Sequence, residues 1–306
     1  MDTKLTIVLG ALLMLAGCGG KPATEIRWNA FSGERAYRHV ERLVGYGPRP
    51  SGSHNLIRAS TYIATQLQEA GLDSDEQVFS ALTRRGPTPF RNVIGKTREQ
   101  HSGDNRVIII ASHYDTKNLS NVNFVGANDG GSSVGVALEM ARVASAQADL
   151  WFVFFDGEEA LIEYSDSDGL WGSKYFLQEL KGAQQLKRIK AVILLDMVGD
   201  AQLNVTIPAN CSQPLVQRVF DAARDTGYRD HFSLFHAPMI DDHVPFLTAG
   251  IPAVDLIDFQ FGSAPGLNDY WHTEKDTLDK IRPRSLEIVG QTALRLLELL
   301  KKTPNL

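Results

Sequence analysis

Two adjacent glutamates, Glu158 and Glu159, follow the apolar and aromatic run 151–155 after a short Asp-Gly turn. A continuous apolar run of this kind is typical of a buried strand in a parallel sheet. Ligands bind beyond the carboxyl ends of such strands, which is where we expect these two carboxylates. One carboxylate can hold a metal ion while its neighbour moves a proton. The pair therefore predicts a metal-dependent acid–base centre.

Other side chains that can bind metals occupy similar places along the chain. Each lies at or just after the end of an expected strand or turn: His113, Asp115, Asp129, Asp196 and His272. The apolar runs 107–111 and 192–195 are the strands expected before two of these positions. A lone Glu-Glu pair is most simply a solvated acidic loop, but the shared placement of all these residues favours a site.

The pattern along the chain alternates between helices and strands. This alternation predicts an α/β fold, in which a central, mostly parallel, twisted sheet is flanked by helices within a single domain. With 306 residues and 43% hydrophobic residues, the chain can bury one large core. We expect helices at about 33–43, 54–70, 130–146 and 282–301, and a further strand at 253–257. No linker divides the region 27–306.

The net charge of the chain indicates which classes of partner it can bind. The formal net charge is -5, and the sequence contains no run of Lys and Arg. Nucleic acids bind surfaces where basic residues cluster, so we expect no nucleic-acid partner.

The N-terminus has the pattern of an export signal. Lys4 precedes the apolar run 5–16, which is too short to span a bilayer. Residues 15–18, Leu-Ala-Gly-Cys, resemble a bacterial lipobox, in which the cysteine is lipidated and becomes the mature N-terminus. We therefore expect a lipoprotein signal peptide at 1–18 with Cys18 as the lipid-bearing residue, a tether at 19–26 and a catalytic domain at 27–306. An ordinary cleaved signal peptide is the alternative.

This interpretation implies an exported protein that is anchored to a bacterial membrane through lipidated Cys18, on the periplasmic or cell-surface side. Inner and outer membrane both remain open, and so does the oligomeric state. The one other cysteine is Cys211, so no disulfide within the chain is expected, and Cys211 is expected to be buried.

Seven short segments resemble the M28 family of zinc-dependent peptidases and their close relatives, the glutaminyl cyclases. They occur in the family's order within about residues 90–281: 113–115 (His-Tyr-Asp), 126–130 (Gly-Ala-Asn-Asp-Gly), 157–159 (Gly-Glu-Glu), 169–173 (Gly-Leu-Trp-Gly-Ser), 195–197 (Leu-Asp-Met), 241–246 (Asp-Asp-His-Val-Pro-Phe) and 271–273 (Trp-His-Thr). A single match of this length would be weak, whereas seven in order are specific. The resemblance implies a fold like that of the zinc aminopeptidases and glutaminyl cyclases.

The resemblance also implies roles for the candidate residues. A catalytic zinc ion has three protein ligands and one open position. The implied ligands are Asp129, Glu159 and His272, with Glu158 beside them as the general base and acid.

A second zinc ion is the alternative that the family leaves open. In two-zinc members, Asp129 bridges both ions while His113 and Asp196 hold the second one. Asp115 would then orient the imidazole of His113. We expect one zinc ion, and two stay possible.

The segments around the ligands distinguish the two branches of the family. In the aminopeptidases, a Gly-Leu-x-Gly-Ser segment follows the glutamate pair almost at once, whereas here residues 160–168 intervene. This insertion resembles the glutaminyl cyclases, in which an aromatic residue from it lines the substrate pocket, and Tyr164 is at that position. Trp271 also fits the cyclases, which use an indole there to hold the substrate.

Two segments depart from the cyclase pattern. Residues 262–269 look like an insertion, so the aromatic residue that the animal enzymes place shortly before the Trp-His pair has no clear counterpart. Leu267 is nearest in position, and Phe261 is the ring that could replace it. Residues 273–277 resemble the aminopeptidase ending.

The resemblance implies a zinc-dependent glutaminyl-peptide cyclotransferase, an acyltransferase that acts on peptides or proteins with a free N-terminal Gln. It would convert that residue to pyroglutamate and release ammonia, with Glu158 moving the proton and Asp196 and Asp241 sharing hydrogen bonds with it. The leading alternative is an M28-type aminopeptidase with one or two zinc ions. A non-catalytic zinc-binding surface lipoprotein ranks low, because the ligand and acid–base set is intact.

Overall fold

The computed structural model describes residues 25–99 and 104–303. The expected signal peptide, Cys18 and the tether up to residue 24 lie outside these residues. Within the described ranges, no helix combines the length and the apolar character needed to cross a bilayer.

The helices and strands alternate as the sequence predicted. The strands are β1 (Asp73–Thr83), β2 (Gly86–Lys96), β3 (Val107–His113), β4 (Leu150–Phe155), β5 (Ile189–Asp196), β6 (Val205–Pro208), β7 (Phe232–Phe235) and β8 (Ala253–Ile257). The helices are α1 (Gly33–Val44), α2 (His54–Glu69), α3 (Gly131–Ala144), α4 (Trp171–Gly182), α5 (Gln213–Thr226), α6 (His243–Thr248) and α7 (Pro283–Lys302).

Six of the strands form the main sheet, in the order β1-β2-β4-β3-β5-β8. The strands β4, β3, β5 and β8 are parallel, while β1 and β2 form an antiparallel hairpin that is also antiparallel to β4. The predicted α/β domain with a mostly parallel sheet is therefore confirmed. The shorter strands β6 and β7 pair in parallel outside this sheet.

The hairpin of β1 and β2 is the main element that the sequence pattern did not predict. Its first strand alternates between exposed and partly buried residues, because it forms the edge of the sheet. Its second strand begins with Gly86, Pro87 and Pro89, residues that usually interrupt strands and are tolerated at edges. No continuous apolar run marks either strand.

The central strands are buried on both faces. In β3, Ile108 and Ile110 belong to one apolar cluster, while Val107 and Ile109 belong to another. Successive side chains of a strand point to opposite faces, so a strand covered by helices on both sides is apolar throughout. This is why the runs at 107–111 and 151–155 predicted strands correctly. Cys211 is a free, buried thiol, as expected.

A buried arginine joins the loops that lead to the candidate site. Arg49 follows α1 and is fully buried. Its Nη1 donates a hydrogen bond to the carbonyl oxygen of Val125 at 2.7 Å, and its Nε donates to that of Tyr114 at 3.1 Å. Its Nη2 donates to the carbonyl oxygen of Gly126 at 3.2 Å. Burial lowers the pKa of Arg49 to about 10, so the side chain remains charged at neutral pH.

We predict that Arg49→Met lowers the free energy of unfolding by about 3 kcal/mol or more, because several buried carbonyl oxygens lose their donor and each such loss costs about 1–3 kcal/mol. Urea denaturation measures this change. Arg58→Met is the control, since Arg58 is exposed and its guanidinium lies over the ring of Tyr46. Such a contact contributes about 0.5–1 kcal/mol. Equal losses in the two variants would contradict the prediction.

Candidate metal centre

The candidate residues meet at the carboxyl end of the parallel strands. His113 is the last residue of β3, and Asp196 is the last residue of β5. Glu158 and Glu159 follow the end of β4, which pairs with β3. The chain passes from β3 to its neighbour β4 on one side and then from β4 to β5 on the other side of β3, so the site lies where the strand order reverses. Open α/β sheets bind ligands at this point.

Asp129, Glu159 and His272 form one group of potential metal ligands. The Nε2 atom of His272 lies 2.9 Å from Oε1 of Glu159 and 3.3 Å from Oδ2 of Asp129. Oδ2 of Asp129 and Oε2 of Glu159 are buried, and neither accepts a hydrogen bond from the described residues, although Nζ of Lys117 lies 3.6 Å from Oε2 of Glu159. Two carboxylates and one imidazole are ligands that zinc accepts. The donor set therefore fits zinc.

His113, Asp129 and Asp196 form a second group, which shares Asp129 with the first. The Nε2 atom of His113 lies 3.1 Å from Oδ1 of Asp196 and 3.2 Å from Oδ1 of Asp129. All three side chains are buried. The structure thus brings together every residue that the sequence analysis assigned to either metal position.

His272 is held in an unusual backbone conformation. Its φ of 55° lies in the left-handed region, which costs a residue with a Cβ atom about 1–2 kcal/mol. The ring of Trp271 stacks on its imidazole at 3.9 Å, and Phe124 contacts it edge-on. Strain of this kind persists where the surrounding structure fixes the residue, and it is frequent at functional sites.

The charge of His272 depends on its carboxylate neighbours. Burial alone would lower the pKa of His272, but hydrogen bonds with Asp129 and Glu159 outweigh burial and raise it to about 10. Imidazole binds a metal ion in its neutral form, so metal binding at this group must displace a proton. The affinity for a metal ion consequently increases as the pH rises towards 10.

The loop before α3 positions Asp129. The carboxylate of Asp276 accepts hydrogen bonds from the backbone N–H of Asn128 at 2.7 Å and of Asp129 at 3.0 Å. Gly130 follows with a φ of 78°, and a Cβ atom there would lie 2.9 Å from the carbonyl oxygen of Asp115. Asp276 was not among the predicted site residues, although its position only four residues after the predicted ligand His272 could have indicated that it lies near the site.

Asp115 has a different main contact from the one expected. Its Oδ1 lies 3.6 Å from Nδ1 of His113, which is longer than a normal hydrogen bond. Its two carboxylate oxygens instead accept hydrogen bonds from the backbone N–H of Glu158 and Glu159, both at 3.3 Å. Asp115 thus joins the end of β3 to the glutamate pair.

Glu158 lies beside the metal ligands in a buried, acidic environment. Burial raises the pKa of Glu158 well above its usual range, and the charges of Glu159 and Asp241 raise it further. The hydroxyl of Tyr164 donates a hydrogen bond to the Glu158 carboxylate and also lies 2.7 Å from its carbonyl oxygen. A carboxyl group with a raised pKa can both accept and donate a proton near neutral pH.

Asp196 and Asp241, the other two expected catalytic residues, line the same cavity as Glu158. Asp196 lies at hydrogen-bond distance from His113. Asp241 belongs to a further buried group with His243 and Asp255, and burial raises the pKa of Asp241 well above its usual range. The expected hydrogen bonds from Asp196 and Asp241 to Glu158 are not formed among the described residues, and the hydroxyl of Tyr164 is the donor to the Glu158 carboxylate instead.

The cavity above these residues has a volume of about 300 Å³. Its apolar and aromatic wall consists of Tyr164, Met239, Ile240, Ile257, Phe259 and Trp271. The two expected substrate-binding residues, Tyr164 and Trp271, therefore both line it. Phe259 contacts the Trp271 ring edge-on, with centroids 5.0 Å apart.

Phe259 is the aromatic residue that lines the cavity beside Trp271, whereas Leu267 and Phe261 were the residues considered from the sequence. Phe261 is fully buried and packs against Tyr270, while Leu267 is an exposed side chain. Neither lines the cavity. Only Gln260 separates Phe259 from Phe261, so sequence spacing alone could not decide which of the two rings lines the cavity.

Residues 92–297 match Peptidase family M28. The chain belongs to this family. Among solved structures, it is similar to a glutaminyl cyclase from an Acidobacteriales bacterium, with 33% identity and a TM-score of 0.82 over 95% of this chain and 99% of that one.

Two further relatives represent the two branches of the family. A zinc-dependent exopeptidase from Parabacteroides distasonis is 26% identical, with a TM-score of 0.76, over 89% of this chain and 99% of that one. A glutaminyl-peptide cyclotransferase from Gloydius blomhoffii is 28% identical over 274 residues, which cover 76% of this chain and 72% of that protein. The fold is thus common to a cyclase and an exopeptidase.

We predict that Asp276→Asn weakens zinc binding about 10–100-fold. Asn128 and Asp129 donate to different oxygens of Asp276, and the amide replaces one of these oxygens with an NH2 group that cannot accept, so Asp129 shifts. Competition with a chromophoric chelator measures the affinity, and circular dichroism checks the fold. Asp279→Asn is the matched control, since the Asp279 side chain is largely exposed. An unchanged zinc affinity in Asp276→Asn would show that this carboxylate does not position the ligand.

Proposed function

We propose that this protein is a zinc-dependent glutaminyl-peptide cyclotransferase, which converts the N-terminal Gln of a peptide or protein to pyroglutamate and releases ammonia. The observation that carries this proposal is the 33% identity to a solved glutaminyl cyclase over nearly the full length of both chains. The position of Tyr164 supports it, because this residue of the 160–168 insertion lines the cavity and contacts Glu158.

We further propose that one zinc ion is held by Asp129, Glu159 and His272. The buried oxygens of Asp129 and Glu159 that accept no hydrogen bond support this assignment. His113 lies at hydrogen-bond distance from Asp196, which gives the second group a role without a metal ion. Zinc at this site would act as a Lewis acid on the oxygen of the Gln side-chain amide.

The remaining chemistry belongs to the side chains around the cavity. The α-amine of the substrate attacks the carbon of its own side-chain amide, so that a C–N bond forms and a five-membered lactam closes. Glu158 takes a proton from the amine and delivers it to the departing nitrogen, which leaves as ammonia. An α-amino group titrates near ~7.7–8.0, so a useful fraction is already neutral. The cavity walls, including Trp271 and Phe259, exclude water from this step.

Hydrolysis is the second candidate function, and a specific observation favours it. The zinc-dependent exopeptidase from Parabacteroides distasonis has the same fold, and the chain belongs to a peptidase family. In this alternative, Glu158 would remove a proton from water, and His113 and Asp196 would join Asp129 as ligands of a second zinc ion. The product would be a free N-terminal amino acid.

We also propose that the protein is an exported lipoprotein that is anchored to a bacterial membrane through Cys18. The motif at 15–18 supports this. Ile26 is buried in the apolar core, so a tether would end at about this residue. Its substrates would then be peptides and proteins outside the cytoplasm.

The two candidate functions predict different products from two dipeptides. Incubation of the purified protein with Gln-Phe should remove one ammonia from the dipeptide, while Leu-Phe should remain unchanged, as followed by mass spectrometry. The result follows because only Gln carries a side-chain amide that its own amine can reach. Cleavage of Leu-Phe without release of ammonia would contradict the cyclase and establish an aminopeptidase.

Glu158→Gln should lower kcat about 100-fold or more, because general acid–base catalysis contributes about 10²–10⁴-fold. The zinc content, measured by atomic emission, should remain that of the wild type, since Glu158 is not one of the three proposed ligands. Glu163→Gln is the control, because Glu163 is an exposed residue of the same loop. Full activity in Glu158→Gln would overturn the assigned role.

A further inference from the structure

A second cavity adjoins the one that contains the candidate metal ligands. Its volume is about 460 Å³, within the range of about 300–1,000 Å³ that is usual for ligand sites. Two of its lining residues, Tyr164 and Ile240, also line the first cavity. These two side chains therefore lie at the boundary between the two adjoining cavities.

The walls of the second cavity are mainly apolar. Leu170 and Leu177 come from the start and the middle of the α4 region, and Val244 and Pro245 come from α6. Ile240 at the boundary is 69% exposed, which is high for a large apolar side chain. A ligand that covered Ile240 would bury apolar surface, and such burial is favourable.

The one lysine of this cavity does not supply a free charge. The Nζ atom of Lys174 donates hydrogen bonds to the carbonyl oxygens of Asp166 at 3.1 Å and Gly169 at 2.9 Å. These contacts hold the ammonium group against the loop, while the aliphatic part of the side chain lines the cavity. The chemistry of the cavity therefore favours an apolar ligand over an acidic one.

The position of the cavity relative to Glu158 suggests which ligand this is. The hydroxyl of Tyr164 contacts Glu158, and the same side chain lines the second cavity, so one side chain separates the proposed reaction centre from it. An extended peptide advances about 3.3 Å per residue. When its first residue lies at Glu158, its second or third residue reaches the far side of Tyr164.

We propose that the second cavity is a specificity subsite that takes an apolar side chain from the second or third residue of the peptide substrate. This inference rests on the proposed function, because it assumes that the N-terminal residue of a peptide reacts in the first cavity. The enzyme then selects among peptides with N-terminal Gln by the residues that follow it.

The test compares peptides that share an N-terminal Gln and differ at one position. Release of ammonia gives kcat/KM for the amides Gln-Gly-Gly, Gln-Leu-Gly, Gln-Gly-Leu and Gln-Gly-Asp. We expect at least one Leu peptide to exceed Gln-Gly-Gly about tenfold, which is typical for filling an apolar pocket, and we expect no gain for Asp. The position of the favourable Leu identifies which residue enters the subsite.

Variants test whether the second cavity causes this selectivity. Val244→Ser and Leu177→Ser each remove apolar surface that lines only this cavity, so the ratio of kcat/KM for the Leu and Gly peptides should fall several-fold. Ile162→Ser is the matched control, because Ile162 is exposed on the loop of Tyr164 but lines neither cavity. The ratio of kcat/KM for the Leu and Gly peptides should be the same in Ile162→Ser as in the wild type.

The outcomes separate this inference from the proposed function. Equal kcat/KM values for all four peptides would overturn the subsite and leave the cyclase intact. A Leu preference that persists in both Val244→Ser and Leu177→Ser would also overturn it, since the apolar contact would then lie elsewhere. If no peptide releases ammonia, the proposed function fails, and the subsite fails with it.

Discussion

Buried negative charge at the carboxyl end of the parallel sheet is the constraint on which the rest of this structure depends. Five buried carboxylates line one small cavity: Asp129, Glu158, Glu159, Asp196 and Asp241. Buried charges are stable only when they are paired, hydrogen-bonded, protonated or bound to a metal ion. His113 and His272 pair with part of this set, and the hydroxyl of Tyr164 donates a hydrogen bond to Glu158. A zinc ion would balance much of the rest.

Contacts within the surrounding loops hold these carboxylates in place. Asp276 fixes the backbone at Asp129, and Asp115 fixes the backbone of the glutamate pair. The guanidinium of Arg49 donates hydrogen bonds to the carbonyl oxygens of Val125 and Gly126, and these bonds hold the loop that leads to Asp129. Each of these groups acts on the backbone, so the ligand side chains remain free to bind metal. The same arrangement explains the strained backbone of His272, which the stacked ring of Trp271 helps to hold.

The structure also separates the part that does chemistry from the part that selects the substrate. Four of the candidate residues lie at or just after the ends of strands, where the sheet fixes their positions: His113, Glu158, Glu159 and Asp196. Asp129 and His272 lie on loops that other contacts hold. Tyr164 and Ile240 come from connecting segments, which can vary without changing the sheet. Proteins that share this fold can therefore differ in reaction, as the similar glutaminyl cyclase and zinc-dependent exopeptidase do. Here the 160–168 loop is held by Asp168, whose carboxylate accepts backbone hydrogen bonds from Leu161 and Ile162.

The sequence by itself determined the parallel sheet and the residues gathered at its end. The buried strands were visible at 107–111 and 151–155 because a strand covered on both faces is apolar at every position. The edge hairpin 73–96 was not visible, since its alternation is irregular and its stability comes from pairing with β4. The proposed ligands Asp129, Glu159 and His272 were indicated by their resemblance to the family motifs, and the structure places their side chains together.

Only the tertiary structure decided how those residues are supported. The contact between Asp129 and Asp276 joins residues 147 positions apart, and the one between Arg49 and Gly126 spans 77. No local pattern encodes such a pair, because it depends on the packing of helices and loops around the sheet. The choice of Phe259 as the ring beside Trp271, and the second cavity beyond Tyr164, arise in the same way. Local periodicity is written in the sequence, whereas contacts between distant segments form only when the chain packs.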